Sequence, residues 1–185
     1  MAHPDDPLPS ALDVADLVLQ QLGPTEPLKL QKLVYYCQAW SLAWHGRPLF
    51  SERIQAWVHG PVVPELYQMT SGRASVVAVG GSAEALSSPA RTTVLEVLDY
   101  YGKHSPAKLR RLTHDEAPWR DARGGIPDNC PSTNEITRES MRRFYRDRPC
   151  GGGKPMRDFS CFSAERVRRS LEEIAGDDTI DLESL

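Results

Sequence analysis

The most constraining feature of the sequence is an apolar stripe that runs through residues 28–45. Its members follow one another at steps of three and four, which places them on one face of an α-helix. They are Leu30, Leu33, Val34, Cys37, Trp40, Ser41 and Trp44. Tyr35 and Tyr36 are neighbours in this helix and cannot both face the same core, so we expect at least one of them to meet another helix or a partner. The sequence therefore predicts one long helix, ended by Gly46, that other elements must cover.

Residues 51–67 change from a helical to an alternating pattern. One side of the alternation is apolar and the other is mostly polar, which is typical of a half-buried strand. The apolar side holds Ile54 and Ala56, and the other side holds Arg53, Gln55 and Trp57. Gly60 and Pro61 interrupt the strand, and Pro64 suits the first turn of a short helix that carries Tyr67. The stretch 56–67 is therefore predicted to be a corner where a strand turns into a helix.

Cap and stop signals divide most of the remaining chain into further helices. Ser10 suits the N-cap of a helix over residues 11–22, and Thr113 and Glu116 have the spacing of a capping box. Together these patterns predict an α+β fold that is mostly α-helical. We expect about six helices around a small two- or three-stranded antiparallel sheet near Ile54, followed by a C-terminal helix after a glycine linker.

Composition divides the chain into four parts. Residues 1–9 are rich in proline and are predicted to be a disordered lead-in, and residues 10–148 carry the helix and strand patterns of a folded domain. Residues 149–162 begin with PCGGGKP and are predicted to be a linker. Residues 163–185 are predicted to form a C-terminal helix with an acidic tail.

The overall composition excludes several classes of protein. The 185 residues carry a formal net charge of −3, and no apolar run is long enough for a membrane span. The N-terminus has no apolar region typical of a signal peptide, so we expect a cytoplasmic protein. Its four cysteines, Cys37, Cys130, Cys150 and Cys161, show no CxxC or Cys/His spacing, so we predict no metal site and no cofactor.

Four separated blocks resemble the Panacea domain of the SocA-like antitoxin family. In chain order they read LKLQKLVYYCQAW, HGRPLFSERIQAWVHGPVVPELY, LTHDEAPWRDAR and ITRESMRRFY, and the resemblance covers roughly residues 10–147. It implies a bacterial or phage antitoxin, encoded beside a toxin, that neutralises this toxin by binding it. It also implies one alternative, a protease adaptor that delivers the toxin for degradation. A second alternative, an autorepressor that binds its own operator, comes from the basic residues in the last third of the chain.

An enzymatic function is not expected. His114, Asp115 and Glu116 are adjacent, and adjacent side chains on a helix or turn do not converge on one point. No serine or cysteine lies in a nucleophile elbow, and no glycine loop has the spacing that cradles phosphate. We therefore predict no catalytic residues.

Two surfaces are candidates for binding a partner. The first lies at the corner, where Trp57 falls on the polar side of the strand and two prolines reduce the entropy that binding would remove. Its candidate residues are Tyr35, Trp57, His59, Pro61 and Tyr67. The second is the apolar stripe of the C-terminal helix, formed by Val167, Leu171 and Ile174. This helix is short enough to need a docking site on its own domain, on a second copy that would make a homo-oligomer, or on a toxin.

Basic residues concentrate in the last third of the chain. Residues 138–169 hold ten arginines and lysines against four acids, although the whole chain is acidic. This segment could be a solvated helix face, a weak contact to DNA phosphates, or a surface that meets an acidic toxin. The sequence alone leaves these three readings open.

Overall fold

The computed structural model describes residues 8–146 and 148. Seven α-helices and one two-stranded sheet lie within this part of the chain. The elements are α1 (Ala11–Leu22), α2 (Pro27–His45), β1 (Gln55–Trp57), β2 (Gly60–Val62), α3 (Pro64–Thr70), α4 (Ser88–Tyr101), α5 (Pro106–Asp115), α6 (Ala117–Arg123) and α7 (Arg138–Tyr145), with a single 3₁₀ turn at Ala83–Ala85. The mostly helical fold with a small antiparallel sheet is confirmed.

Helix α2 lies at the centre of the domain. Every residue from Leu30 to Leu42 is buried, because α1, α4, α5 and α7 all pack against it. Tyr36 stacks on Tyr101 of α4 with ring centroids 3.9 Å apart, and Tyr35 meets Tyr145 of α7 edge-on at 6.4 Å. The expectation that at least one of these tyrosines meets another helix is confirmed. The expectation that they cannot both face one core is wrong, because both are buried in the same core and both contact Tyr145.

The two strands form a tight antiparallel hairpin. Trp57 pairs with Gly60 across a two-residue turn, and Ile54 and Ala56 face the core as predicted. Gly60 has φ +96°, and a Cβ at this position would lie 2.8 Å from Lys32 Cε and from Thr113 Oγ1. A glycine is therefore required both by the turn and by the close approach of α2 and α5.

The outer edge of β1 is covered by residues 134–136. The Ala56 N–H donates to the Asn134 carbonyl at 2.8 Å, and the Ile136 N–H donates to the Ile54 carbonyl at 2.8 Å. This contact forms an isolated bridge between Gln55 and Glu135, so the described sheet has two strands. It protects the edge strand from pairing with another chain.

One predicted helix start is confirmed and another is wrong. Ser10 caps α1 in a full capping box with Asp13, as predicted. The capping box of Thr113 and Glu116 is wrong, because α5 continues through Thr113 to Asp115 and the Thr113 hydroxyl donates to the Arg110 carbonyl. The Glu116 side chain turns into the protein and hydrogen-bonds two tyrosines instead.

Some predictions lie outside the described residues. These are the lead-in up to residue 7, the linker 149–162, and the C-terminal helix with Val167, Leu171 and Ile174. Within residues 8–146 and 148, none of the helices combines the length and the apolar character that a membrane span requires.

Candidate functional site

An open groove of about 490 Å³ lies where the hairpin, α3 and the start of α2 meet. We call it the Trp57 groove. Its lining comes from four segments, namely Pro27, Leu28 and Gln31 of α2, Trp57, Val58, His59 and Val62 of the hairpin, Tyr67 of α3, and Pro131, Ser132 and Thr133 of the loop before α7. Aromatic rings, prolines and aliphatic side chains dominate this lining, which is the usual character of a binding groove.

An aromatic pair dominates one wall of the groove. The rings of Trp57 and Tyr67 meet edge to face with centroids 4.8 Å apart. Tyr67 is 42% exposed and Trp57 is half-buried, so both contribute apolar surface that water can reach. The indole Nε1 of Trp57 donates to Gln55 Oε1 at 2.7 Å, which satisfies the polar atom of the ring and fixes its orientation.

The start of α2 supports the β2 wall through two buried polar side chains. The Gln31 amide accepts from the Val63 N–H at 2.9 Å and donates to the Val63 carbonyl at 3.2 Å, as a neighbouring strand would. Lys32, which is fully buried, donates from Nζ to the Pro61 carbonyl at 2.8 Å. These bonds pair the free edge of β2 and hold Val62 in the groove wall.

Arg123 supports the opposite wall. The residue is 2% exposed, and its guanidinium donates to the carbonyls of Ala56, Ile126, Pro127 and Cys130. It therefore ties β1 to the loop that carries Pro131 to the groove. The Trp119 indole adds a second tie by donating to the Trp57 carbonyl at 2.9 Å.

The walls of the groove are thus held by hydrogen bonds from two elements, α2 and α6. A surface that is rigid before it binds loses less conformational entropy when a partner arrives. The sequence predicts that two prolines make this surface rigid. In the structure the rigidity comes mainly from the hydrogen bonds of Gln31, Lys32 and Arg123.

The structure separates the five predicted corner residues into two sets. Trp57, His59 and Tyr67 line the groove together, and His59 and Tyr67 are exposed. Tyr35 is fully buried and hydrogen-bonds Tyr145, so it cannot reach a partner in this structure. Pro61 is also buried, because its strand packs on α2 and its carbonyl accepts from Lys32.

Several residues of the groove escaped the sequence patterns. Gln31 and Lys32 form a polar pair inside the apolar stretch of α2, and this interruption was an available signal of buried hydrogen bonds. Arg123 and the loop from Pro131 to Thr133 gave no comparable signal, because their positions depend on contacts across the fold.

A second group of polar side chains is sealed in the core between α2 and α7. This tyrosine–glutamate cluster consists of Tyr35, Tyr36, Glu116 and Tyr145. Tyr145 donates to Glu116 Oε2 at 2.5 Å, Tyr36 donates to the same carboxyl at 3.3 Å, and the hydroxyls of Tyr35 and Tyr145 lie 3.2 Å apart. The three tyrosines are at most 1% exposed.

Burial dominates the titration of this cluster. It raises the pKa of Glu116 to about 7, although the hydrogen bonds from Tyr145 and Tyr36 oppose this shift. Burial also raises the pKa values of Tyr35, Tyr36 and Tyr145, and the nearby Glu116 carboxyl raises them further. The cluster joins α2, α7 and the α5–α6 junction, and we interpret it as a structural connection.

Three basic side chains, Lys32, Arg110 and His114, lie near the α5–α6 junction. Burial lowers the pKa of Lys32 to about 7, and Arg110 lowers it further. His114 stacks on Trp119 with centroids 3.9 Å apart, and burial followed by Arg110 lowers its pKa to about 4. Within the described ranges, no three His, Cys, Asp or Glu side chains converge as metal ligands would.

Comparison with known families matches residues 30–120 to the family described as antitoxin SocA-like, Panacea domain. Residues 30–120 therefore match a SocA-like Panacea domain. The matched residues include Gln31, the whole hairpin and Tyr67, and therefore most of the groove. The loop at Pro131, helix α7 and the C-terminal segment lie beyond the match. No curated protein and no solved structure matches the chain.

Proposed function

We propose that this protein is an antitoxin that neutralises a cognate toxin by binding it directly, and that the Trp57 groove is the contact surface. The observation that carries the proposal is an exposed aromatic groove, with walls fixed by buried hydrogen bonds, inside a SocA-like antitoxin domain. Tryptophan and tyrosine are among the residues that contribute most to protein–protein binding energy, and they act best in a preformed setting.

The positions of the titratable groups also favour binding over chemistry. Glu116 and Lys32 have pKa values near neutrality, as catalytic groups often do. Both are turned away from the groove, into the cluster and the α2–β2 contact respectively. The groups that the groove does expose, such as Tyr67 and His59, do not form an acid–base or nucleophile pair in this structure. We therefore propose that neutralisation is stoichiometric.

The test uses the protein encoded by the adjacent gene as the toxin, co-expressed with the full-length antitoxin. We expect wild type to rescue growth, and Trp57→Ala and Tyr67→Ala to weaken toxin binding by about 30-fold or more each, the loss typical of a hot-spot residue. Met69→Ala is the matched control, because Met69 is an equally exposed side chain of α3 outside the groove lining. Wild-type affinity in both groove variants would contradict the proposal.

The adaptor alternative predicts a different result from the same strains. An adaptor would shorten the half-life of the toxin only when a protease is also present, whereas direct neutralisation leaves the toxin level unchanged. The structure gives less support to the operator-binding alternative, because two of its candidate arginines have other contacts. Arg138 donates to the Ser51 carbonyl at 2.8 Å, and the Arg148 guanidinium lies 3.8 Å from the Phe144 ring centroid.

A further inference from the structure

We infer that residues 163–175 dock into the Trp57 groove of their own chain, and that a toxin must displace them. The docking itself is independent of the proposed function, whereas the competition with a toxin rests on it. Three observations carry the inference: the direction in which the chain leaves α7, the length of chain that follows, and the charge at the edge of the groove.

Helix α7 directs the chain toward the groove. It runs antiparallel to α2, because Arg142 lies beside Gly46 at the end of α2 whereas Tyr145 hydrogen-bonds Tyr35 in the middle of it. Leu28 lines the groove and lies on the same face of α2 as Tyr35, two helical turns earlier. Seven residues of helix correspond to about 10 Å, so the end of α7 and the groove are close neighbours along α2.

The chain beyond α7 is long enough to reach the groove. The predicted linker of residues 149–162, treated as a random coil, spans about 20 Å on average. A short tether of this kind gives an effective concentration in the millimolar range. Even a weak affinity between the segment and the groove would therefore keep the groove largely occupied in the absence of a toxin.

The segment and the groove are complementary in character. The stripe of Val167, Leu171 and Ile174 supplies aliphatic side chains for an apolar groove, and Arg166 and Arg168 adjoin Val167 in the sequence. Glu26 is exposed next to Pro27, which lines the groove. No cation of the described residues forms an ion pair with this carboxylate, so one acid at the edge of the groove remains for an arginine of the segment.

The same geometry predicts a cost for toxin binding. A tethered segment with a Kd of about 0.1 mM and an effective concentration of about 1 mM would fill the groove about 90% of the time. A toxin that competes for the same surface would then bind about tenfold more weakly than it binds an open groove. Disabling the segment should therefore tighten toxin binding. This is the opposite of what loss of apolar residues from a toxin-binding surface would cause.

The docking is tested in the full-length protein without a toxin. A photoreactive p-benzoylphenylalanine replaces Leu171, and the cross-linked peptides are identified by mass spectrometry in a mixture of isotopically light and heavy chains. We expect cross-links to residues 55–67 or 27–31 within one chain, and their loss in Trp57→Ala. The probe at Glu173, outside the stripe, is the control and should give few such cross-links. Cross-links to a second chain, or to other regions, would overturn the docking.

The competition is tested with the toxin as ligand. Leu171→Asp leaves every groove residue unchanged, and we expect it to bind the toxin about tenfold more tightly than wild type. Unchanged or weaker binding by Leu171→Asp would overturn the competition, since weaker binding makes the segment part of the toxin interface. Failure of the proposed function has a separate signature, measured with the segment disabled. It is equal toxin affinity in Leu171→Asp and in the double variant Leu171→Asp with Trp57→Ala, and the cross-linking result stands in that case.

Discussion

The Trp57 groove and the tyrosine–glutamate cluster use similar side chains for opposite purposes. Each is built around aromatic rings with polar atoms. In the groove, the Trp57 indole is satisfied by Gln55, and the rings of Trp57 and Tyr67 remain accessible to water. In the cluster, the hydroxyls of Tyr36 and Tyr145 converge on Glu116 with almost no exposed surface. The comparison teaches that residue type alone does not indicate a binding surface, whereas the location of the polar partners does.

The supports of the two regions differ as well. The groove is held from behind by long polar side chains that bind backbone carbonyls, such as Lys32 and Arg123. The cluster is held by side chains that bind one another. Substitutions in the groove's rings should therefore affect binding with little effect on stability, and substitutions in the supports or the cluster should do the reverse.

The largest effect on stability is expected for Arg123→Met. The substitution removes the donor for four carbonyls, and an unpaired buried polar group costs about 1–3 kcal/mol. Because water can reach part of the loop, we expect a total loss of about 4 kcal/mol in the free energy of unfolding, measured by urea denaturation. Arg120→Met, at an exposed position of the same helix, should change it by less than about 0.5 kcal/mol. Equal stability of the two variants would show that the groove does not depend on this support.

The next effect concerns the pH dependence of the cluster. The pKa of Glu116 is raised to about 7, so the folded state holds the proton more tightly than the unfolded chain. The resulting stabilisation is complete below the ordinary pKa of 4.5 and is lost as the pH rises through about 7. In wild type we expect the unfolding free energy to fall by about 2–3 kcal/mol between pH 5 and pH 8 because of this carboxyl. Glu116→Gln has no carboxyl to titrate at this position, so we expect this fall to be absent.

Thermal or urea denaturation across that pH range measures this difference. Glu139→Gln, at an exposed position in the first turn of α7, is the matched control and should keep the pH profile of wild type. Parallel profiles for wild type and Glu116→Gln would mean that the carboxyl is solvated, and the contrast between a sealed cluster and an open groove would then fail.

The smallest effect gives the most closely matched comparison. Tyr145→Phe removes the hydroxyl that donates to Glu116 and contacts Tyr35, and we expect a loss of about 1–3 kcal/mol in unfolding free energy. Tyr67→Phe removes the hydroxyl of an exposed ring, and we expect a change within about 0.5 kcal/mol. Urea denaturation of the two variants at one pH decides the point. A larger loss for Tyr67→Phe would reverse the assignment of the two regions.

The sequence predicts well those features that depend on local periodicity. The stripe through Leu30, Trp40 and Trp44 identified the central helix, and the alternation around Ile54 identified the hairpin strand and placed Trp57 on its outer side. A residue's side of a strand or helix follows from its position in the chain, so these predictions needed no knowledge of the tertiary structure.

Predictions that depended on which elements meet were less successful. Tyr35 was expected at a surface because two adjacent aromatic residues leave different faces of a helix, but α7 returns to cover it. Arg123 was not singled out, because its four acceptors lie in segments that become neighbours only after folding. Long-range contacts decide whether an aromatic or charged residue is a surface feature or a support, and a single sequence does not contain them.

The most direct test of the account is the affinity of the full-length protein for the product of the adjacent gene, measured by titration calorimetry in three variants. We predict that Trp57→Ala binds about 30-fold or more weakly than wild type, whereas Tyr145→Phe and Met69→Ala bind within about twofold of it under conditions where all are folded. Wild-type affinity in Trp57→Ala together with a large loss in Tyr145→Phe would contradict the account, because the binding surface would then lie at the cluster.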